Sequence, residues 1–269
     1  MQSTTINFVH ANGFPSGSYQ TLFSYLPNNI NIIALEKYGH NPKYPVENNW
    51  ERIVDELVHF VKSQQKNNEK VVCVGHSFGG VVSFMAACLH PELFKGVVML
   101  DPPVVTGPKA FAIKLIKKTR FIDKFSPSGK AINRRKKWPL GTNIIDTFSK
   151  RTLFKGFDKR ALADYVKSGI VEKNNQLELL FDAKIEAEIF RTLPTNLSDF
   201  KNKLTVPTTL IYGEVTEVLP NPHHIFRRFA KQNKKITIEM VSGGHMFPFE
   251  RPEETAKLIA DIIDNLSSG

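Results

Sequence analysis

The chain has 269 residues, which suits one large domain carrying an inserted lobe and is short for two full-sized domains. Hydrophobic residues make up 41% and charged residues 23%, a globular composition that excludes fibrous and disordered classes, and two cysteines exclude a disulfide-stapled scaffold. The net charge is +10, and it is local: residues 109–160 hold sixteen Lys and Arg against three Asp, densest at Arg134-Arg135-Lys136-Lys137.

That basic stretch reads first as a solvated face, with attraction to anionic lipid, nucleic acid or an acidic substrate as the competing reading. No aromatic-interleaved motif accompanies it, so nucleic acid is not expected as a partner. No apolar run reaches the roughly 18 residues that span a bilayer. The start, Met1-Gln2-Ser3-Thr4-Thr5, has neither a basic nor an apolar leader region, so no signal peptide is expected. Cys73 and Cys88 fall in apolar runs without metal-ligand spacing. They read as buried, reduced thiols, which makes a cytoplasmic location the default; no metal or organic cofactor is implied.

In chain order, Ile6–His10 is a short apolar run ending at Asn12-Gly13-Phe14-Pro15, a strand feeding a loop. Over Ser18–Leu26 the residues Tyr19, Leu22, Phe23 and Leu26 share a helical face. A second strand is expected over Asn31–Leu35, and an amphipathic helix over Trp50–Lys62 with Trp50, Ile53, Val54, Leu57, Phe60 and Val61 on its stripe. Glu69–Gly75 reads as a third strand. Its core, Val71-Val72-Cys73-Val74, is apolar without alternation, the mark of a parallel strand buried on both faces. A small-residue helix over Phe78–Leu89 and a strand over Gly96–Leu100, closed by Asp101-Pro102-Pro103, complete the first hundred residues. The pattern resumes with a strand over Thr208–Tyr212, a helix over Pro222–Lys231, a strand over Lys235–Val241 and a helix over Pro252–Leu266 with Pro252 in its first turn. Strand and helix alternate, so the fold class is α/β: a mostly parallel, doubly wound sheet flanked by helices. Between Thr106 and about Phe200 only helical patterns and loops are found. The expected organisation is a core of residues 1–105 and 200–269 with a helical cap over 106–199, inserted after the strand ending at Asp101.

The sharpest signal is Val74-Gly75-His76-Ser77-Phe78-Gly79-Gly80. A serine between glycines at −2 and +2, after an apolar strand and before a helix, is the pattern of a nucleophile elbow. Only glycine lets the neighbouring backbone pass close enough to lift the serine Oγ clear of the sheet. The helix starting there presents free N–H groups to a developing oxyanion.

With these residues the chain resembles the α/β-hydrolase superfamily, and within it the cap-bearing bacterial serine hydrolases and esterases. The likeness spans nearly the full length. It is carried by His10-Ala11-Asn12-Gly13-Phe14-Pro15, Gly75-His76-Ser77-Phe78-Gly79-Gly80, Tyr212-Gly213-Glu214 and Gly243-Gly244-His245, with Tyr165-Val166-Lys167-Ser168-Gly169 and Ile185-Glu186-Ala187-Glu188-Ile189-Phe190 in the cap. It implies a sheet of about eight strands, with this chain expected to begin at the third and its sheet to lack the first hairpin or two. It also implies a triad of Ser77 as nucleophile, His245 as base and a carboxylate. His245 follows the last expected strand, at the sheet edge where ligands bind. His10 and His76 flank the site and read as structural or supporting residues.

The acid departs from the family pattern. Its usual place, three residues after the glycine ending the seventh strand, is Thr216, which cannot serve. Asp101 is the first candidate, because some family members carry their acid at that strand end; Glu217 and Glu214 are the alternatives. The resemblance implies oxyanion donors from the Phe78 and Asn12 amides, with Gly13 as second choice for Asn12, and Phe14, Trp138 and Phe247 are candidates for an apolar pocket. The expected function is hydrolysis of a carboxylic ester, or a related acyl compound, with a lipophilic or anionic small-molecule substrate. Thioester, lactone or carbon–carbon bond hydrolysis, and a non-catalytic ligand-binding member of the family, are the competing readings.

Overall fold

The computed structural model describes residues 3–65, 67–119 and 121–268. The expectation of a leaderless N-terminus begins on Met1 and Gln2, which lie outside the described residues, as does Arg120 of the basic stretch.

Six strands form the main sheet: β1 Thr4–Val9, β2 Ile30–Ala34, β3 Val71–His76, β4 Phe94–Leu100, β8 Thr208–Gly213 and β9 Ile236–Val241. The numbers β5 to β7 belong to a second, small sheet described below. The order is β2-β1-β3-β4-β8-β9, and every neighbouring pair is parallel. Among the described residues this sheet has six strands.

Strand alternation explains the two packed layers. Val71, Cys73, Val97, Met99, Leu210 and Tyr212 point to one face, under helices α2 Glu51–Gln64, α3 Phe78–Leu89 and α10 Pro222–Gln232. Ile6, Phe8, Val72, Val74, Val98 and Ile211 point to the other, under α1 Gln20–Ser24 and α12 Pro252–Ser268. Both faces are covered, which is why Val71–His76 is buried throughout. Two expected boundaries shift. Ser18–Leu26 divides into a 3-10 turn, Ser16–Tyr19, and the short α1. Trp50 lies just outside α2 with φ 61°, and its indole N–H donates to the Ile189 carbonyl at 2.9 Å. A buried hydrogen bond there overrides its place in the helical stripe.

The chain between β4 and β8 is a long insertion. It contains α4 Gly107–Ile116, α5 Ile122–Phe125, α6 Ser128–Asn133, α7 Ile144–Ser149, α8 Lys159–Gly169 and α9 Ala183–Arg191. The expectation of helices and loops alone is corrected here. Strands β5 Lys137–Pro139, β6 Ile170–Lys173 and β7 Gln176–Leu179 form an antiparallel sheet in the order β5-β7-β6. Each strand has only three or four residues, too few for a period-2 signal. The legible mark was Asn174-Asn175, the two-residue turn between β6 and β7, with φ of 51° and 61°. Asparagine tolerates the left-handed conformation that such hairpins require.

The insertion is tied to the turn and helix that follow β1 by side-chain hydrogen bonds. Asp164 accepts from the Thr21 backbone N–H at 2.6 Å and its hydroxyl at 2.5 Å, and Ser18 and Ser168 join hydroxyls at 3.0 Å. An aromatic seam of Phe14, Phe154, Phe157, Tyr165 and Phe249 fills the join, with Phe14 5.0 Å from Tyr165 and 5.1 Å from Phe249 between ring centroids. Among the described residues no helix is long and apolar enough to cross a membrane.

The crossing of β1, β3 and α3 leaves room for hydrogen only. A Cβ on Gly79 would stand 2.1 Å from the Val9 carbonyl oxygen, whereas one on Gly141 (φ +79°) would meet nothing within 4 Å. Gly79→Ala is expected to lower unfolding stability by more than about 4 kcal/mol and Gly141→Ala by only about 1 kcal/mol. Urea unfolding of both variants checks this; equal midpoints would contradict the close approach.

Candidate active site

The sequence-selected residues converge on one edge of the sheet, the carboxyl ends of the parallel strands. Ser77 follows β3, Asp101 follows β4, Thr216 lies just beyond β8, His245 follows β9 and the 10–15 loop follows β1. Ligands of open α/β sheets bind at this edge.

Ser77 sits between β3 and α3 with φ 53° and ψ −117°, outside the allowed regions for most residues. Its backbone is held on both sides: the N–H donates to the Leu100 carbonyl at 2.7 Å, and its carbonyl accepts from Gly80 at 3.0 Å. Strain of this kind, of order 1–3 kcal/mol, persists only where the surroundings over-determine it. The glycines are the determinant. A Cβ on Gly75 would stand 2.2 Å from the Gly79 carbonyl oxygen, and one on Gly79 would collide with the strand end at Val9 and His10.

Asp101 also has positive φ, 45°, and is 1% exposed. Its backbone N–H donates to the Ile211 carbonyl at 2.7 Å. The carboxylate takes three donors: the Gly213 backbone N–H at 3.3 Å, the Thr216 hydroxyl at 2.6 Å and His245 Nδ1 at 2.5 Å. Asp101 is therefore the carboxylate that meets His245. Glu214 and Glu217 are exposed, and no bond from either to His245 occurs among the described residues. Thr216 stands where the family's usual acid is expected, and it serves as a hydrogen-bond donor to the carboxylate on the next strand. With Nδ1 donating to Asp101, the imidazole leaves Nε2 free to accept a proton.

Two buried histidines brace this arrangement. Tyr19 accepts the Ala11 N–H at 3.0 Å and so donates its own hydroxyl proton to His76 Nδ1 at 2.8 Å. His76 Nε2–H then donates to the His245 carbonyl at 3.0 Å. Burial drives the His76 pKa well below the ordinary 6.5, and the adjacent His245 pushes the same way. His10 donates from Nδ1 to the Ala11 carbonyl at 2.9 Å and accepts the Tyr38 N–H at 2.8 Å. Both histidines are thus neutral connectors. Glu250, which the sequence did not suggest, accepts the Gly244 N–H at 2.9 Å and holds the loop that carries His245.

The remaining candidates fall into two groups. Among the described residues neither the Phe78 nor the Asn12 backbone N–H has an acceptor; Phe78 opens α3 directly after Ser77, and Asn12 lies in the loop after β1. The Asn12 side chain donates to the Glu186 carbonyl at 3.0 Å, and the Glu186 carboxylate lies 3.0 Å from where a Gly13 Cβ would be and 2.6 Å from Arg134 Nη2. Burial raises the Glu186 pKa, opposed by that guanidinium. Trp138 and Phe247, each 1% exposed, and Phe14 are packed into the hydrophobic cluster that joins insertion and sheet, not presented as open pocket walls. Cys73 and Cys88 are free and buried, and burial lifts their thiols to about 11 and about 12. Among the described residues no cluster of His, Cys, Asp or Glu could hold a metal ion.

The parallel sheet and the strained serine turn define a hydrolase-type α/β architecture. Residues 8–258 match the family model described as "Alpha/beta hydrolase family", and the chain belongs to that family. Among its relatives, a probable alcohol acetyltransferase of Saccharomyces cerevisiae is 25% identical over 89% of this chain and 70% of its own length. Monoacylglycerol lipase abhd6-B of Xenopus laevis is 22% identical over 92% and 71%, and a proline iminopeptidase of Saccharolobus solfataricus is 23% identical over 97% and 86%. Among solved structures, E-2-(acetamidomethylene)succinate hydrolase superposes with a TM-score of 0.75 at 19% identity, covering 98% of this chain and 93% of its own. The family thus includes lipases, acyltransferases and a peptidase among this chain's relatives.

His10 supplies a pH test. Its pKa in the fold is lowered to about 4, by burial first and then by the nearby His40 and Lys37, against an ordinary 6.5. The unfolded chain therefore takes up a proton that the folded chain refuses between those values. Stability linked to neutral His10 is complete above pH 6.5 and is lost as pH falls toward 4. His10→Gln loses both hydrogen bonds at neutral pH, but its deficit relative to wild type should shrink by about 2 kcal/mol between about pH 7.5 and about pH 5. Urea unfolding at the two pH values measures it; a constant deficit would mean that folded His10 titrates normally.

Proposed function

We propose that the protein is a serine hydrolase that cleaves a carboxylic ester through an acyl-enzyme, with Ser77, His245 and Asp101 as its triad. The observation that carries this reading is a strained elbow serine on the same sheet edge as a histidine whose Nδ1 lies 2.5 Å from a buried carboxylate.

Ser77 Oγ attacks the ester carbonyl carbon while His245 Nε2 takes its proton. Asp101 fixes the imidazole tautomer and stabilises the imidazolium. The carbonyl oxygen becomes an oxyanion within reach of the Phe78 and Asn12 backbone N–H groups, at the positive end of α3. Collapse expels the alcohol, which receives the proton from His245. Water then attacks the acyl-enzyme, again losing a proton to His245, and releases the acid and Ser77. The insertion acts as the cap over this edge, since the Asn12 side chain and Trp50 both bond to carbonyls of α9. The lipase and acyltransferase relatives support a small, lipophilic acyl compound as substrate. The free, buried cysteines support a reducing, cytoplasmic setting.

Labelling with a fluorophosphonate tests the assignment. Wild type is expected to label and Ser77→Ala not to; Asp101→Asn should slow the reaction about 10⁴-fold, and Glu217→Gln should leave it unchanged. An unlabelled wild type would overturn the reading. Thr216→Val removes a hydroxyl that shares the Asp101 oxygen with His245. It should lower kcat for a p-nitrophenyl ester about 5- to 10-fold with little change in KM, equivalent to about 1 kcal/mol for one hydrogen bond. A Thr216→Val enzyme with wild-type kcat would show that this bond does not support the base.

A further inference from the structure

Nine large hydrophobic side chains are exposed among the described residues, and six of them lie between residues 111 and 153, within the basic stretch. Helix α4, Gly107–Ile116, organises this surface. Pro108, Phe111, Ala112 and Leu115 are all exposed, and their spacing of i, i+3, i+4 and i+7 sets them in one stripe. Phe111 is 65% and Leu115 52% exposed. The opposite side of the helix meets the protein: Ala110 is buried, Ile113 is half-buried, and Lys117 Nζ turns inward to the Leu193 carbonyl at 2.6 Å. The helix is thus inverted, with its bulkiest apolar side chains facing water and a lysine facing in.

Lysines flank the stripe. At 100° per residue, exposed Lys109 falls on one side of it and exposed Lys114 on the other, with exposed Lys118 in the turn beyond. The chain that follows repeats the chemistry: Phe121 is 60% exposed, and Lys124 Nζ lies 5.6 Å from the centre of its ring.

We propose that this face of the insertion is a docking surface for a bilayer carrying anionic lipid. An apolar stripe bordered on both sides by lysines is the pattern of a helix lying in the membrane interface. The rings enter the boundary of the acyl chains while the lysine stems run along them and carry the ammonium groups to the phosphates. Charge selects the occupant. A second copy seated face to face would oppose lysine to lysine, in a chain whose net charge is already +10. A nucleic-acid backbone would meet the lysines but leave Pro108, Ala112 and Leu115 against polar phosphates. A bilayer with anionic headgroups satisfies both features at once. The docked helix begins six residues after Asp101, so docking turns the insertion toward the lipid. The proposal does not depend on the chemistry assigned to Ser77.

Sedimentation with vesicles tests it. The full chain is mixed at low salt with vesicles of phosphatidylcholine alone or with roughly one-fifth phosphatidylserine. Wild type is expected to partition at least about tenfold more strongly onto the anionic vesicles. The double variant Phe111→Ser/Leu115→Ser and the triple variant Lys109→Glu/Lys114→Glu/Lys118→Glu should each lose that gain while keeping the wild-type melting temperature, since all five side chains are exposed. Absence of wild-type binding overturns the proposal. So does loss in the lysine variant alone, which reduces the effect to a general attraction of the basic stretch. It is likewise overturned by a dimer in sedimentation velocity that Phe111→Ser/Leu115→Ser dissociates, or by tighter binding to a short DNA duplex than to the anionic vesicles.

Discussion

The site depends on one steric constraint, the contact of bare backbone on bare backbone where β1, β3 and α3 meet. Gly79 stands against the carbonyls of Val9 and His10, and Gly75 against the carbonyl of Gly79. This contact holds the Ser77 dihedrals in a region that a free chain would leave, and it brings the loop after β1 beside the first turn of α3. The elbow and the end of β1 lie this close because nothing larger than hydrogen separates those segments. The strain is offset by the well-packed strands and helices around it, in which β3 is buried on both faces.

Around that fixed point the polar groups form a continuous chain. Ala11, Tyr19, His76 and the His245 carbonyl are linked by successive hydrogen bonds, and His245 continues to Asp101 and Thr216. The loop after β1, the elbow and the loops after β4, β8 and β9 are thereby placed relative to one another by directed bonds. Burial keeps His76 uncharged, so the connection runs through a neutral ring and adds no positive charge beside His245.

The sheet was legible in the sequence because its signals are dense. Val71-Val72-Cys73-Val74 marks a doubly buried strand, and Gly75-x-Ser77-x-Gly79 marks the turn that follows it. The helix over Phe78–Leu89 has the bounds expected of it. Trp50 left its helical stripe because an indole N–H partner 139 residues away decided its backbone, and no local pattern carries that information. The small sheet of the insertion was missed because its strands are too short to alternate, leaving Asn174-Asn175 as the single cue. Among the acids, the sequence narrowed the choice to three, but spacing alone could not separate them. The separation lies in burial: Asp101 is enclosed by the ends of β4 and β8, whereas Glu214 and Glu217 point to water. Thr216 could be recognised as a donor only once Asp101 was seen beside it. Glu250 reaches back six positions to Gly244, a contact without a sequence signature.

The position of Asp101 bears on how this chain can change over time. The carboxylate, the elbow serine and the two unaccepted N–H groups all lie within the first 101 residues, on three adjacent strands. His245 alone comes from the second half. The segment after β8, residues 214–221, meets the site through the Thr216 hydroxyl and through the Val215 N–H, which donates to the Gly243 carbonyl at 3.2 Å, and several of its side chains are exposed. The exposed part of a loop that does not carry the carboxylate can change in sequence without moving Asp101. A chain with its acid on that loop would lack this freedom, so the exposed part of this segment is where substitution disturbs the His245–Asp101 pair least.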